Sequence, residues 1–111
     1  MIHFRYKNIN LNTKLINLFK NDLKISTSTI SISNDFITIN NIHVHNKFRN
    51  YGFGSFMLNK IEDLSINNYD INKISLLAWQ PYGSTNVIDF FKKNNYTLEN
   101  NHSQLYDDYI N

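Results

Sequence analysis

The chain has 111 residues, of which 41% are apolar and 14% aromatic, and a formal net charge of +2. This is the length of one domain spanning residues 1–111, enough to bury a single core and too apolar for a disordered chain. There is no cysteine, which excludes disulfides and thiolate metal sites and makes an intracellular, cytoplasmic location the expectation. No apolar run reaches membrane-spanning length, and Met1 to Arg5 lack the apolar stretch of a signal peptide, so no membrane association is expected. The basic residues are scattered along the chain, which does not argue for nucleic acid as the main partner. Asn, Ile, Lys and Tyr are abundant beside three Gly and one Pro; Asn therefore carries little information about turns.

Ile2, Phe4 and Tyr6 alternate with His3 and Arg5, which predicts a short strand. Leu11, Leu15, Leu18, Phe19 and Leu23 recur at helical spacing, with Asn12 or Thr13 as cap, and predict a helix. Lys24 to Ser33 is rich in β-branched residues and reads as a strand. Ser33-Asn34-Asp35 is a turn signal, and Phe36 to His45 reads as the partner strand.

Lys47 to Phe53 is a polar loop that ends in two glycines within three positions. Met57, Leu58, Ile61 and Leu64 mark one face of a helix beginning near Gly54 or Ser55 and broken by Asn67 to Asn72. Lys73 to Trp79 is apolar on both faces, as a central covered strand is. A strand, helix, strand order of this length implies a parallel pair with a right-handed crossover. Gln80 to Gly83 forms a loop, and Ser84 caps a short helix carrying Val87, Ile88, Phe90 and Phe91. Two closing strands follow, Tyr96 to Glu99 and Gln104 to Ile110. The expected architecture is a mixed α/β domain with a central parallel pair and antiparallel strands on both sides.

The loop before the long helix has a definite chemistry. Gly52 and Gly54 let a ligand approach the backbone closely. The first amides of the helix lack intrahelical partners and carry partial positive charge, which makes a pyrophosphate site. Lys47 and Arg49 add charge. The dinucleotide fingerprint is excluded because its third glycine position is Met57, and the Walker loop because Gly54 is followed by Ser55-Phe56.

The stretch from Ile42 to Leu58, Ile-His-Val-His-Asn-Lys-Phe-Arg-Asn-Tyr-Gly-Phe-Gly-Ser-Phe-Met-Leu, resembles the acyl-CoA-binding motif of the GNAT superfamily of N-acetyltransferases. That motif is an apolar strand followed by Arg/Gln-x-x-Gly-x-Gly/Ala and a helix. Asn86 to Tyr96 is similar to the family's later motif, an Asn or Ala followed by an aromatic pair and Gly-Phe. The two motifs and the strand between them cover about residues 35–97. The resemblance implies an acyl-CoA N-acyltransferase-like fold whose central parallel strands are splayed. It implies acetyl-CoA as co-substrate, held by Ile42, His43 and Val44 along the pantetheine arm, by Arg49, Asn50, Tyr51, Gly52, Phe53, Gly54 and Ser55 at the pyrophosphate, and by Asn86 on the other wall. The acceptor it implies is a primary amine, of a small molecule or of a protein; a homodimer is left open.

Direct transfer requires a proton to leave the amine and one to reach the thiolate, and a donor for the oxyanion, here Ile42 or its neighbour. The family's acid, a Tyr second in the later aromatic pair, is replaced by Phe91, and its Gly-Phe by Asn95-Tyr96. Thr38 and Asn40 stand where some members carry a Glu or His base. The substitutes are Tyr82, in the loop after the central strand, and His43 and His45, either of which could relay a proton directly or through water. No Asp/Glu cluster completes a metal site with the His pair, so no metal is expected. The alternative is a degenerate member that binds CoA or a protein partner without catalysis. The short segment before the motif strand, expected to contribute one helix where the family usually has two, implies an open acceptor site suited to a protein side chain.

Overall fold

The computed structural model of the protein describes residues 1–77, 91–98 and 104–108. Its strands are β1 (Ile2–Asn10), β2 (Thr13–Lys20), β3 (Leu23–Ile32), β4 (Ile37–Val44), β5 (Lys73–Leu77), β6 (Thr97–Leu98) and β7 (Gln104–Asp108), and its one long helix among the described residues is α1 (Phe53–Tyr69). All seven strands form one sheet in the order β1-β2-β3-β4-β5-β7-β6. Among the described residues only β4 and β5 run parallel, linked by the α1 crossover, and every other described pair is antiparallel.

The helix expected over Leu11 to Leu23 is replaced by a turn and strand β2. Asn12 N–H donates to the Asn10 side chain at 2.9 Å, and β2 pairs with β1 on one side and β3 on the other. Two of the five residues that made the helical pattern are exposed, Leu11 in the β1–β2 turn at 99% and Leu23 at the start of β3 at 55%, while Ile16, outside that pattern, is fully buried with Leu18. Alternation between two partner strands buries one row of side chains at period two, and this overrides a 3.6-residue coincidence of leucines. No helix precedes β4.

Along α1, Met57, Leu58, Ile61 and Leu64 are buried and join Ile16, Leu18, Ile30, Ile37, Ile39 and Ile74 of the sheet in one core. Each such side chain contributes about 1.5–3 kcal/mol of transfer free energy. Phe4 stacks on Phe56 at 5.6 Å, which places the even residues of β1 on the α1 face. The helix runs through Asn67 and Asn68 and ends at Asp70, whose φ of 53° and N–H bond to the Ser65 carbonyl close it. Ile71 N–H donates to the same carbonyl at 2.8 Å, and the buried Ser65 hydroxyl donates back to the Ile71 carbonyl.

β4 carries the feature that shapes the site. Ile30 lies opposite Ile39 and Thr29 opposite Asn41, so Asn40 is an extra residue, a β-bulge. Before it Ile37 and Ile39 face the core; after it Ile42 does, with Val44 on the same side. A bulge bends its strand, and the described pairing of β4 with β5 covers only Ile37 to Ile39. This is the splayed parallel pair.

Candidate functional site

Beyond the bulge, the second half of β4 has no strand partner among the described residues on the side away from β3. His45 N–H donates to the Ile25 carbonyl of β3 at 2.8 Å. Backbone groups alternate sides along an antiparallel strand, so those of Ile42 and Val44 face away from β3, toward the gap beside β5. One of them has a partner already: Arg49 Nε donates to the Val44 carbonyl at 3.0 Å, which fastens the loop to the end of the strand.

The loop is built from local geometry. Asn46–Phe48 form a single 3-10 turn. Asn50 (φ 68°) and Gly52 (φ 85°) are left-handed, a conformation open to Gly and tolerated by Asn. Phe48 meets His45 edge-on at 6.2 Å and Phe53 at 6.0 Å, an aromatic group that props the turn against the core. Gly52 is the N-cap of α1, which therefore begins at Phe53, one residue before the expected start. The first helical bond runs from Phe56 N–H to the Gly52 carbonyl at 3.0 Å, so the N–H groups of Phe53, Gly54 and Ser55 have no intrahelical acceptor. No side chain caps this end and its first turn has no acidic residue.

These parts enclose a cleft of about 560 Å³. Its walls are Ile42, His43 and Val44 from β4; Phe48, Arg49, Asn50 and Gly52 from the loop; Phe53, Gly54 and Ser55 from the head of α1; and Phe91 and Lys93. Among the described residues, Arg49 and Lys93 line it and no carboxylate does. A helix head whose first amides lack intrahelical acceptors, beside Arg49 and Lys93, is a site for an anion. The cleft also reaches both faces of β4, since Ile42 and Val44 point to the α1 side and His43, between them, to the other.

Of the residues expected from the sequence at the ligand, Ile42, His43, Val44, Arg49, Asn50, Gly52, Phe53, Gly54 and Ser55 are brought together here. Tyr51 is 75% exposed and does not line the cleft. His45 does not line it either; its Nδ1 accepts the Lys47 N–H at 3.4 Å, as the cap of the 3-10 turn. Tyr82, Asn86 and Trp79 lie outside the described residues, as does the helix expected after Ser84 apart from its final turn at Phe91 to Lys93. Phe91, 6% exposed, forms part of the cleft wall with its ring against Tyr96 at 5.7 Å. Thr38 and Asn40 are tied to neighbours: Thr38 Oγ1 is 3.2 Å from Ser75 Oγ, and Asn40 Nδ2 donates to Ser31 Oγ at 2.9 Å. Sequence reasoning gave no role to Phe48 or Lys93. Both sit inside the two motifs, so position relative to the glycines and the aromatic pair was the available signal. Among the described residues no helix is long and apolar enough to cross a membrane, and no three His, Cys, Asp or Glu gather as metal ligands.

Solved structures similar to this one share its fold. The PaiA N-acetyltransferase of Thermoplasma acidophilum, in complex with coenzyme A, superposes with a TM-score of 0.74 over 90% of this chain at 17% identity. A GNAT family acetyltransferase of Elizabethkingia anophelis with acetyl-CoA bound gives 0.74 over 89% at 16% identity, and the N-acetyltransferase PseH of Campylobacter jejuni gives 0.71 over 89% at 13%. The chain spans 63%, 78% and 70% of those three proteins. No family model matches the sequence, and no curated protein is significantly similar to it.

Proposed function

Since the chain has the GNAT acyl-CoA N-acyltransferase fold, we propose that it transfers an acetyl group from acetyl-CoA to a primary amine. The observation that carries this reading is the convergence, on one cleft, of three amides at the head of α1 that lack an intrahelical acceptor, the side chains of Arg49 and Lys93, and the edge of β4 that has no partner among the described residues. The residues fit the co-substrate: the anion cradle suits a pyrophosphate, and an extended amide-bearing arm suits the strand edge of Ile42 and Val44, whose backbone groups face away from β3.

Acetyl-CoA supplies the activated acyl group, whose thioester carbon the amine attacks as the C–S bond breaks and a C–N bond forms. The chain's residues hold and move charge around that exchange. Phe53, Gly54 and Ser55 N–H, with Arg49 and Lys93, neutralise phosphate. The Ile42 N–H faces the gap and is the donor for negative charge developing on the carbonyl oxygen. His43, exposed at the mouth of the cleft, accepts the proton that the amine nitrogen loses as the C–N bond forms. Tyr82 is the residue assigned to protonate the departing thiolate.

Thiol release from acetyl-CoA, measured across a panel of amines, tests the reading. Turnover is expected with at least one class of amine. His43→Gln is expected to lower kcat by about 10²-fold, the lower range for a general base, with the acetyl-CoA thermal shift unchanged. A protein that gives no thermal shift with acetyl-CoA and no thiol release overturns it. One observation favours a second reading, CoA binding without turnover: Phe91, which has no proton to give, stands in the cleft wall. A thermal shift without thiol release selects that reading.

A further inference from the structure

The sheet face opposite α1 carries several exposed side chains over β1 to β4, and the cleft reaches it at His43. Strand register sets one line of side chains across it: Arg5 lies opposite Asn17, Asn17 opposite Thr27, and Thr27 opposite His43. At about 4.8 Å between strands, Arg5 stands about 14 Å from His43 along that line. A second line, His3, Phe19 and Lys24, and a third that begins at Lys7, flank it. Arg5, Lys7, Lys24 and His43 are exposed.

Among the described residues, the charged side chains that β1 to β4 present on this surface are all basic. β1, β2, β3 and β4 contain no Asp or Glu, although the chain has nine. The one carboxylate shown to reach this face is Asp22 of the β2–β3 turn, fully exposed and 4.0 Å from Arg5. Arg5 also lies 4.6 Å over the Phe19 ring, and His3 stacks on that ring at 5.6 Å. The guanidinium is thus backed by an aromatic plane and presented to solvent.

We propose that this face docks the acceptor, and that the acceptor is the amine of an acidic polypeptide; the proposal rests on the acetyl-transfer reading above. An extended segment advances about 3.3 Å per residue, so carboxylates about four residues from the amine meet Arg5, Lys7 and Lys24 when the amine reaches His43. A basic segment is repelled along the same path. A polypeptide fits better than a nucleic acid: the cations are few and spaced across three rows, and a net charge of +2 gives little general attraction for a polyanion.

The test uses two ten-residue peptides with a free N-terminal Ala and a C-terminal fluorescein. One carries Asp and Glu from the fourth to the seventh position, the other Lys. Fluorescence anisotropy reads binding, and thiol release from acetyl-CoA reads transfer. The acidic peptide is expected to bind at least about tenfold tighter, with an affinity that falls as salt rises. Arg5→Glu/Lys7→Glu is expected to raise its KM about tenfold while kcat and the acetyl-CoA thermal shift stay in place, and Arg5→Gln/Lys7→Gln to give a smaller change in the same direction. Equal binding of the two peptides overturns the proposal. So does binding that neither double variant moves, or stronger competition from a single-stranded oligonucleotide than from the unlabelled acidic peptide. Discriminating binding without thiol release upholds the docking face and removes the transfer reading. Equal acetylation of both peptides upholds transfer and removes the docking face.

Discussion

Replacing Gly52 separates the backbone demand of the turn from its role in binding. Gly52 holds φ at 85° as the N-cap of α1, and a Cβ added there meets no atom within 4 Å. Gly52→Ala therefore introduces no clash, and its cost is the left-handed conformation alone, about 1–2 kcal/mol. Gly52→Asn costs less, because Asn visits that region readily. At about 4 °C of Tm per kcal/mol for a domain of this size, Ala lowers Tm by about 4–8 °C and Asn by less. Gly52→Glu carries the same strain as Ala but sets a carboxylate beside the amides of Phe53, Gly54 and Ser55, which returns about 0.3–1 kcal/mol. Glu is thus expected to be at least as stable as Ala, yet to lose the acetyl-CoA thermal shift that Ala and Asn retain in part. Thermal denaturation of the four proteins with and without acetyl-CoA measures both effects. An Ala variant as stable as the parent refutes the strained turn; a Glu variant that keeps the full shift refutes the phosphate site.

Two further substitutions probe the frame that holds the site. Ser65→Ala removes the buried donor to the Ile71 carbonyl and is expected to cost about 1–3 kcal/mol in urea denaturation, since it loosens the junction between α1 and β5. Ile16→Ala is expected to cost about 2–5 kcal/mol, whereas Leu11→Ala changes stability by no more than about 0.5 kcal/mol; a helix over Leu11 to Leu23 would give the reverse order.

Much of the site was legible in the chain because it is local. The glycines at 52 and 54, the polar loop and the face of Met57, Leu58, Ile61 and Leu64 lie within one continuous segment, and their conformations follow from neighbours in sequence. The strands from Lys24 to Ser33 and from Phe36 to His45 were legible for the same reason, by β-branched content and turn signals between them. The bulge at Asn40 also left a mark that went unread: the apolar positions shift from Ile37 and Ile39 to Ile42 and Val44, a change of parity that a regular strand cannot make.

What the chain by itself determined is the turn, the helix it starts and the strand it leaves: steric freedom at Gly52, amides without intrahelical acceptors after it, and alternation before it. Tertiary structure decided the rest. It made a strand of Thr13 to Lys20, because pairing with β1 and β3 outweighs helical spacing. It drew Phe91 and Lys93 to a cleft about forty residues away in sequence, and it turned Tyr51 out while fastening Arg49 to Val44. It also gathered Arg5 and His43 onto one line of the sheet face opposite α1, an arrangement set by register across four strands and invisible in a one-dimensional pattern.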